Sequence, residues 1–383
     1  MSQKYRDKFG IFGALDAADM EKDVKTNENV HLVRSEVIYR DEEFNLRRAD
    51  GFSAEVIEFL DTTTWGTEDT LYEHKKTDER IRDLTDPIPI LASIEDRLLA
   101  LVVLDRRPVS NAGFSCVSYF FRYLASNATF RERATVGKAG QKTMDIVREG
   151  EQEKAIYFAT IEGRNRRSYN FVKGVGYEQI AEMRSFGFSR FFPRSSKNVE
   201  QVKTEAARAE VLQLLREKYQ HHSLLHFSNL FKHDHAYVLK RDGKVKAFVQ
   251  VHEALWVIKK MKGKKGELIM KYAPHIPLIN QLFNPNRFQF IAFEGLYYHE
   301  DINDLIRLME AALAIHKVKS ALFWFDAKDP MHHEFNECGK LGLLHKFVQE
   351  NNAFVLASFR NLTDEDEKRI RTAPVYISGF DNI

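Results

Sequence analysis

The stretch FRERATVGKAG, residues 130–140, combines positive charge with glycine at a point where a helix begins. Apolar residues then recur three and four positions apart, which predicts a helix running to about Gly150. Backbone N–H groups in the first turn of a helix lack intrahelical partners, and with the helix dipole they attract anions. Gly137 would let a phosphate approach the backbone closely. The predicted phosphate site comprises Arg131, Arg133, Thr135, Val136, Gly137, Lys138 and Ala139.

A competing interpretation is that Gly137 and Gly140 serve close packing and that the arginines are solvated. A second segment, NRRSYNFVKGVGY at 165–177, bears on this choice. It reads as a short helix ending in glycine, preceded by the buried strand AIYFATIE. Asn165 and Ser168 stand at its start.

These two segments resemble the GNAT superfamily of acyl-coenzyme A (CoA) N-acyltransferases. The resemblance implies that the amides opening the helix bind the CoA diphosphate, and that Asn165 and Ser168 belong to the coenzyme site. It also implies an acyl thioester in a gap between the fourth and fifth strands. There, backbone groups of Leu124, Ala125 and Ser126 would bind the pantetheine arm and polarise the thioester carbonyl. The sequence departs from the family pattern at Thr135, where glycine is usual, and carries one extra residue in the loop.

Catalysis by direct attack requires that the acceptor amine lose a proton. Glu162, at the end of the fifth strand, is a candidate base, although a solvated or arginine-paired carboxylate is the competing interpretation. The tyrosine that often serves as the acid in the family is replaced by Val172. Tyr169 is therefore the candidate acid, with a ring packed on the core as its alternative.

The segment between the first two predicted helices, DTTTWGTEDTLYEH, should frame the acceptor pocket. Trp65, Glu68 and Asp69 are its candidate amine-binding residues. The alternative is a loop anchored by one tryptophan.

The elements that position these residues follow the order strand, two helices, three strands, helix, strand, helix, strand, ending near Pro193. The second helix is predicted for the polar stretch TEDTLYEHKKTDERIRDL, and IPILASI and LLALVVLD are predicted to form an antiparallel hairpin. The pattern restarts near Ser196, which indicates a hidden duplication. We therefore predict an α/β fold of the α+β mixed-sheet type, with two tandem GNAT-like domains, each a mostly antiparallel twisted sheet flanked by helices. The predicted boundaries are a lead-in at 1–30 and domains at 31–195 and 196–383.

The second domain is predicted to be a degenerate copy without a phosphate loop. Glu300 and Asp301 stand where the amide-rich turn would be and oppose a diphosphate. Counting back from Gly342 by the spacing that separates Asn165 from Gly176 places Met331 at the position corresponding to Asn165. Such a copy could shape the acceptor cleft or form the surface of a homodimer.

The amino-acid composition disfavours several classes of binding partner. The formal net charge is +2 and no long apolar run occurs, so we predict neither nucleic-acid nor membrane partners. Two distant cysteines and the absence of an apolar leader favour the cytoplasm. Histidines cluster without HExxH or cysteine partners, so no metal site is predicted. The lysine-rich KKMKGKKGE is predicted to be a solvated loop.

The leading hypothesis is an N-acetyltransferase that uses acetyl-CoA as acyl donor and a small-molecule or protein amine as acceptor. The alternatives are a catalytically silent acyl-CoA-binding or interaction protein and an aminoacyl-tRNA-dependent transferase.

Overall fold

A computed structural model describes residues 33–67, 70–129 and 131–383. The strands in these ranges are β1 Ser35–Arg40, β2 Asn45–Ala49, β3 Trp65–Gly66, β4 Thr70–His74, β5 Pro87–Ile94, β6 Arg97–Asn111, β7 Phe114–Ser126, β8 Ala155–Glu162, β9 Glu178–Ser189, β10 Val199–Gln201, β11 Ala236–Arg241, β12 Lys244–Met261, β13 Phe288–Tyr298, β14 Ser320–Asp326 and β15 Asn352–Arg360. The helices are α1 Ala54–Thr62, α2 Thr77–Arg82, α3 Arg133–Glu149, α4 Arg166–Gly174, α5 Glu205–Tyr219, α6 Gly263–Tyr272, α7 Pro277–Leu282, α8 Ile302–Ile315, α9 Pro330–Glu337, α10 His345–Val348 and α11 Asp364–Thr372.

All of these strands join one mixed sheet in the order β1-β2-β5-β6-β7-β8-β15-β9-β14-β13-β12-β11-β10, while β4 pairs with both β12 and β3. The α/β fold with a mixed sheet flanked by helices is therefore confirmed. The two halves exchange their last strands: β15 lies between β8 and β9, and β9 lies between β15 and β14. The domain boundary near residue 195 stays a prediction, because the sheet continues across it.

The centre of the sheet is covered on both faces. Alternate residues of β7 point to opposite sides, as a strand requires. Tyr119 and Phe121 pack in a core with α3 and α4 residues such as Met144, whereas Phe120 packs in a second core that includes Ile370 of α11. Covering both faces explains why β7 and β8 are nearly continuous apolar runs.

Two local predictions were wrong. TEDTLYEHKKTDERIRDL was predicted to be helical, but its described residues include the strand β4 and only the six-residue helix α2. The pairing of β4 with β12, which includes His74 opposite Trp256, is a tertiary interaction that overrides local helix propensity. The lysine-rich segment predicted to be a loop includes the start of α6.

The correspondence between Asn165 and Met331 was also wrong. Asn165 is the N-cap of α4, and the N-cap of α9 is Asp329, whose side chain accepts from the Met331 backbone N–H. Counting back from the glycine misplaced the cap because the chain after α9 is longer than the chain after α4. Among the described residues, no helix is both long and apolar enough to cross a membrane.

Candidate active site

The site begins where two parallel strands separate. β7 and β8 are paired from Val117 opposite Ala155 to Phe120 opposite Phe158, and the ladder then stops although both strands continue. A cavity of about 400 Å³ lies there, lined by the ends of β7 and β8, the start of α4 and residues of the second half of the chain. This separation leaves the backbone groups of β7 that face β8 available to a ligand.

A β-bulge reshapes the end of β7 at the cavity. Leu101 pairs with Ala125 and Val103 pairs with Arg122, so two residues, Tyr123 and Leu124, oppose one residue of β6. Tyr123 adopts a left-handed conformation with φ of 54°. Such a bulge leaves one residue unmatched in the ladder and redirects the strand.

After the bulge the ladder with β6 resumes. Ala125 and Ser126 pair with Leu101 and Ala100, and Leu124 lines the cavity. The three predicted pantetheine-binding positions therefore lie beyond the point where β7 and β8 separate, and of the three Leu124 lines the cavity, whereas Ala125 and Ser126 do not.

Glu162 lies at the end of β8 and lines the cavity. Its carboxylate oxygen Oε1 accepts a hydrogen bond of 2.8 Å from the Tyr72 hydroxyl. Burial raises the pKa of Glu162, and the hydrogen bond from Tyr72 partly opposes this effect. A half-buried carboxylate with a raised pKa is suited to accept a proton from an amine.

Four rings, which we call the aromatic wall, form one side of the cavity: Trp65, Tyr72, His74 and Trp256. Ring centroids are 4.6 Å apart for Tyr72 and Trp256, 5.4 Å for His74 and Trp256, and 5.7 Å for Trp65 and His74. The cross-strand pairing of β3, β4 and β12 aligns these side chains. The wall therefore combines residues from both halves of the chain.

His74 is held neutral within this wall. Burial, with the nearby Arg80 and Arg122 charges, lowers the pKa of His74 well below its ordinary value. Arg80 Nη1 lies 3.2 Å from His74 Nδ1, and a guanidinium can only donate. Nδ1 is therefore the acceptor, and Nε2 carries the proton.

The start of α4 forms another part of the lining. Asn165 caps the helix by accepting from the Ser168 backbone N–H at 3.0 Å, and both residues line the cavity. Tyr169 is directed elsewhere: its hydroxyl donates to Gln179 Oε1 at 3.2 Å and its ring packs edge-on against Phe354. The structure does not bring Tyr169 to the cavity.

The phosphate site was predicted at the start of α3, which lies at Arg133, and the Val136 N–H there already donates to the Glu132 carbonyl oxygen at 3.0 Å. Its N-cap, Glu132, makes no side-chain bond to the first turn and instead accepts from Thr129 N and Oγ1, each at 2.8 Å. A Cβ added at Gly137 would meet nothing within 4 Å, whereas one added at Gly140 would lie 2.9 Å from Phe171 Cζ. Close packing therefore explains Gly140 but not Gly137.

The charged side chains of this region are at the surface. Arg131, Arg133 and Lys138 are exposed, and Lys138 forms an ion pair with Glu43. Ala139 is buried against the β2 side of the sheet, and Val136 packs at the edge of the same cluster. Thr135 lies in the first turn. The predicted acceptor residues Glu68 and Asp69 lie outside the described residues.

The second half contains an equivalent strand separation, but it is filled. β13 and β14 pair only at Ile291 with Ala321 and at Ala292 with Leu322. The space beyond holds residues 375–379, and a cavity of about 20 Å³ remains. A Cβ at Gly379 would lie 2.5 Å from the Phe293 carbonyl oxygen, so this segment is closely packed.

A buried ionic network anchors the segment that follows. Arg107 is 0% exposed and donates to both carboxylate oxygens of Asp381, at 3.1 and 2.5 Å. Arg122 Nη1 lies 3.3 Å from the same carboxylate and Nη2 donates to the Phe380 carbonyl oxygen at 2.9 Å. Burial would raise the pKa of Asp381, but Arg107 and His226 outweigh it and hold this pKa well below its usual range.

Asp381→Asn should lower the free energy of unfolding by about 3–5 kcal/mol, because the buried Arg107 and Arg122 would lose the carboxylate that they share and only Asp105, 3.3 Å from Arg107 Nη1, would remain. The measurement is urea unfolding at pH 7. Since the pKa of Asp381 is depressed in the folded state, the difference from wild type should shrink as the pH falls below about 4, where unfolded aspartate takes up a proton. Asp78→Asn, which removes an exposed pair with Arg82, is the control and should cost less than about 1 kcal/mol. Equal costs would contradict the proposed role.

Several solved structures have a fold similar to that of this chain. A crystal structure of Saccharomyces cerevisiae N-myristoyltransferase with bound myristoyl-CoA aligns over 97% of this chain and 99% of its own, at 11% identity and a TM-score of 0.56. A second structure of that enzyme with myristoyl-CoA aligns over 94% and 92%, at 11% identity and a TM-score of 0.57. A tandem GNAT protein from the clavulanic acid biosynthesis pathway aligns over 73% and 84%, at 10% identity and a TM-score of 0.43.

The chain has the fold of the GNAT superfamily. At these identities the likeness concerns the fold alone. No family model matches the sequence, and no curated protein matches it. The GNAT fold recognised from the two sequence segments is thus confirmed. The two structures that align over 97% and 94% of this chain are of N-myristoyltransferase with bound myristoyl-CoA.

Sequence reasoning missed three members of the aromatic wall of this GNAT fold: Tyr72, His74 and Trp256. Tyr72 and His74 are two residues apart, which is the period of a strand, and this signal was available in the sequence. Trp256 comes from the second half, and its position depends on the pairing of β12 with β4.

Proposed function

We propose that this protein is an N-acyltransferase that moves an acetyl group from acetyl-CoA to a primary amine in the cavity between β7 and β8. The observation that supports this most is the separation of these strands around a cavity of about 400 Å³ with Glu162 in its wall. A thioester and an amine held there would react at high effective concentration.

The donor would lie along the start of α3 and the end of β7. The diphosphate would bind the first turn of α3, where Thr135 would supply a backbone N–H and Gly137 would leave space one residue beyond Val136. Arg131, Arg133 and Lys138 would supply charge. Val136 and Ala139 would support this turn without donating, because the Val136 N–H donates to the Glu132 carbonyl oxygen at 3.0 Å and Ala139 is buried. The pantetheine arm would bind the backbone of Leu124, Ala125 and Ser126, between β7 and the Asn165–Ser168 cap. The open space at Gly137 and the unpaired edge of β7 support this path.

The proposed reaction is a direct attack. The amine nitrogen bonds to the thioester carbon while Glu162 takes the amine proton, and the carbon–sulfur bond then breaks. Backbone N–H groups at the Tyr123–Leu124 bulge would stabilise the negative oxygen of the tetrahedral intermediate. Thiols are far more acidic than alcohols or amines, as the cysteine pKa of about 8.5 illustrates, so the CoA thiolate can depart without a strong acid. The reaction would therefore not need Tyr169, the candidate acid, which does not line the cavity.

The acceptor amine would approach along the aromatic wall. Trp65 is the substrate-binding residue proposed from the sequence, and its ring stacks with His74 in that wall. An aromatic face attracts an ammonium group before its proton is removed. Glu68 and Asp69 stay as predictions from the sequence.

A longer acyl group is a second candidate donor. Phe121 of β7, Met144 of α3 and Val172 of α4 pack in one apolar core, and these three side chains line part of the cavity. A cavity of roughly 150 Å³ can hold benzene, so about 400 Å³ exceeds what an acetyl group fills.

The test is thiol release from acetyl-, octanoyl- and myristoyl-CoA in the presence of a panel of primary amines. Amine-dependent release with the highest kcat/KM for acetyl-CoA would support the proposal, and a preference for the longer donors would favour the second candidate. CoA binding without thiol release for any amine would contradict both and favour a silent binding protein. Binding of tRNA without a need for CoA would favour the tRNA-dependent alternative.

Tyr72→Phe should shift the acidic limb of the pH profile of kcat/KM to higher pH. The Tyr72 hydrogen bond lowers the pKa of Glu162, so its removal raises that pKa, and the base becomes deprotonated only at higher pH. The measurement is kcat/KM from pH 5 to 9. An unchanged limb would show that Glu162 does not set it.

A further inference from the structure

The surface formed by residues 259–282 has an unusual concentration of exposed apolar side chains. These residues connect β12 to β13 and include α6 and α7. Leu268 is 55% exposed, and Tyr272, Ile276 and Leu278 are each 47% exposed. The other large apolar side chains exposed in the described residues are scattered along the chain. Exposed apolar side chains concentrated in one short segment indicate an interaction site.

The segment is fixed to the protein by its opposite side. Gly266, Ala273 and Leu282 are buried, and the Leu282 carbonyl oxygen accepts a hydrogen bond of 2.6 Å from the Ser320 hydroxyl of β14. Leu268 and Tyr272 are one helical turn apart and so share one face of α6. This anchoring directs the exposed apolar residues away from the protein.

The same segment is strongly basic. It contains six lysines and one acidic residue, Glu267, although the whole chain has a net charge of only +2. The rest of the chain is therefore net negative. Within the described part of the chain, Lys264 and Lys265 of α6 have no carboxylate within 4.0 Å, whereas Lys259 pairs with Glu73 at 2.9 Å.

We propose that residues 259–282 dock on the surface of an anionic lipid bilayer. Lysines around exposed leucine, isoleucine and tyrosine match a surface with negative headgroups above an apolar layer. A protein partner fits less well, because the cores of protein interfaces are depleted in lysine. A nucleic acid would require the lysines but not the apolar side chains. The surface is outside the cavity, and the inference does not depend on the proposed activity.

Docking here would involve the strand that also forms the candidate active site. β12 contributes Trp256 to the aromatic wall and Ile258 to the cavity lining. It ends at Met261, so its last three residues are also the first three of the basic segment 259–282. A bilayer bound to this segment would therefore contact residues that directly continue a strand lining the cavity.

The test is co-sedimentation of the full chain with vesicles of phosphatidylcholine alone and with one quarter phosphatidylserine. We expect binding to the anionic vesicles that falls as salt is raised toward about 0.5 M. Lys264→Gln with Lys265→Gln should lower the partition coefficient by about 25-fold, at about fivefold per lysine. Leu268→Ser with Ile276→Ser should lower it by at least about tenfold, because less apolar surface would be buried.

Matched controls come from exposed residues elsewhere. Lys197→Gln with Lys203→Gln should leave binding within about twofold of wild type, as should Phe192→Ser, which changes a side chain that is 75% exposed. All four variants alter exposed residues and should keep the wild-type melting temperature. Absence of phosphatidylserine-dependent binding would overturn the proposal, as would equal losses in segment and control variants. Concentration-dependent self-association abolished by Leu268→Ser with Ile276→Ser would assign the surface to a second copy instead.

Discussion

Glu162→Gln should lower kcat by about 10²–10⁴-fold while leaving acyl-CoA binding unchanged. Glutamine keeps the size of the side chain and can still accept the Tyr72 hydrogen bond, but it cannot take a proton from the amine. Because burial raises the pKa of Glu162, wild-type kcat/KM should rise with pH through a pKa above the ordinary glutamate value of about 4.3. The measurements are steady-state kinetics and calorimetric titration with CoA.

The matched control for this change is Glu149→Gln, which alters an exposed glutamate on α3 that does not line the cavity. It should leave kcat within about twofold of wild type. If Glu162→Gln retains activity within a few-fold, another group or a water molecule removes the proton, and Glu162 is not the base. If it loses CoA binding as well, the change acts on the donor rather than on proton transfer.

Gly137→Glu should abolish binding of acyl-CoA and leave the fold intact. A carboxylate in the first turns of α3 would repel the diphosphate and occupy the space that it needs. Since a Cβ added at Gly137 would meet nothing within 4 Å beyond its own helix backbone, a longer side chain has room to extend without a clash at its base. Isothermal titration with CoA and thermal unfolding measure the two effects separately.

Two controls separate charge and size from helix propensity. Gly137→Ala should bind CoA nearly as wild type and stabilise α3 by about 0.5–1 kcal/mol, because alanine is the better helix former. Gly174→Glu places the same carboxylate at the end of α4, where a Cβ also meets nothing within 4 Å, and should keep binding. Normal CoA binding by Gly137→Glu would show that the diphosphate lies elsewhere and would remove the basis for the donor site.

The bilayer experiment is independent of these results. Loss of activity in Glu162→Gln or of CoA binding in Gly137→Glu concerns the cavity and α3, whereas vesicle binding concerns residues 259–282. A chain that binds vesicles but does not release thiol would retain the docking surface and lose the proposed function.

The sequence by itself determined the elements whose signals are local. The α3 helix, the hairpin of β5 and β6, and the cap at Asn165 all depend on residues within about a dozen positions of each other. The uncapped start of α3 could be predicted for the same reason. The candidate carboxylate Glu162 was recognised because it ends a buried strand, and the structure brings it to the cavity wall.

Only the tertiary structure decided how the halves combine. The insertion of β15 between β8 and β9 and the pairing of β4 with β12 join residues far apart in sequence, and strand pairing depends on partners that no local pattern specifies. The aromatic wall exists only because β4 crosses to β12. Tyr72 was wrongly predicted to lie on a helix, because its own segment does not specify that the strand would pair with β12. Tyr169 was wrongly expected at the cavity, because the direction of its side chain depends on how α4 packs against the sheet.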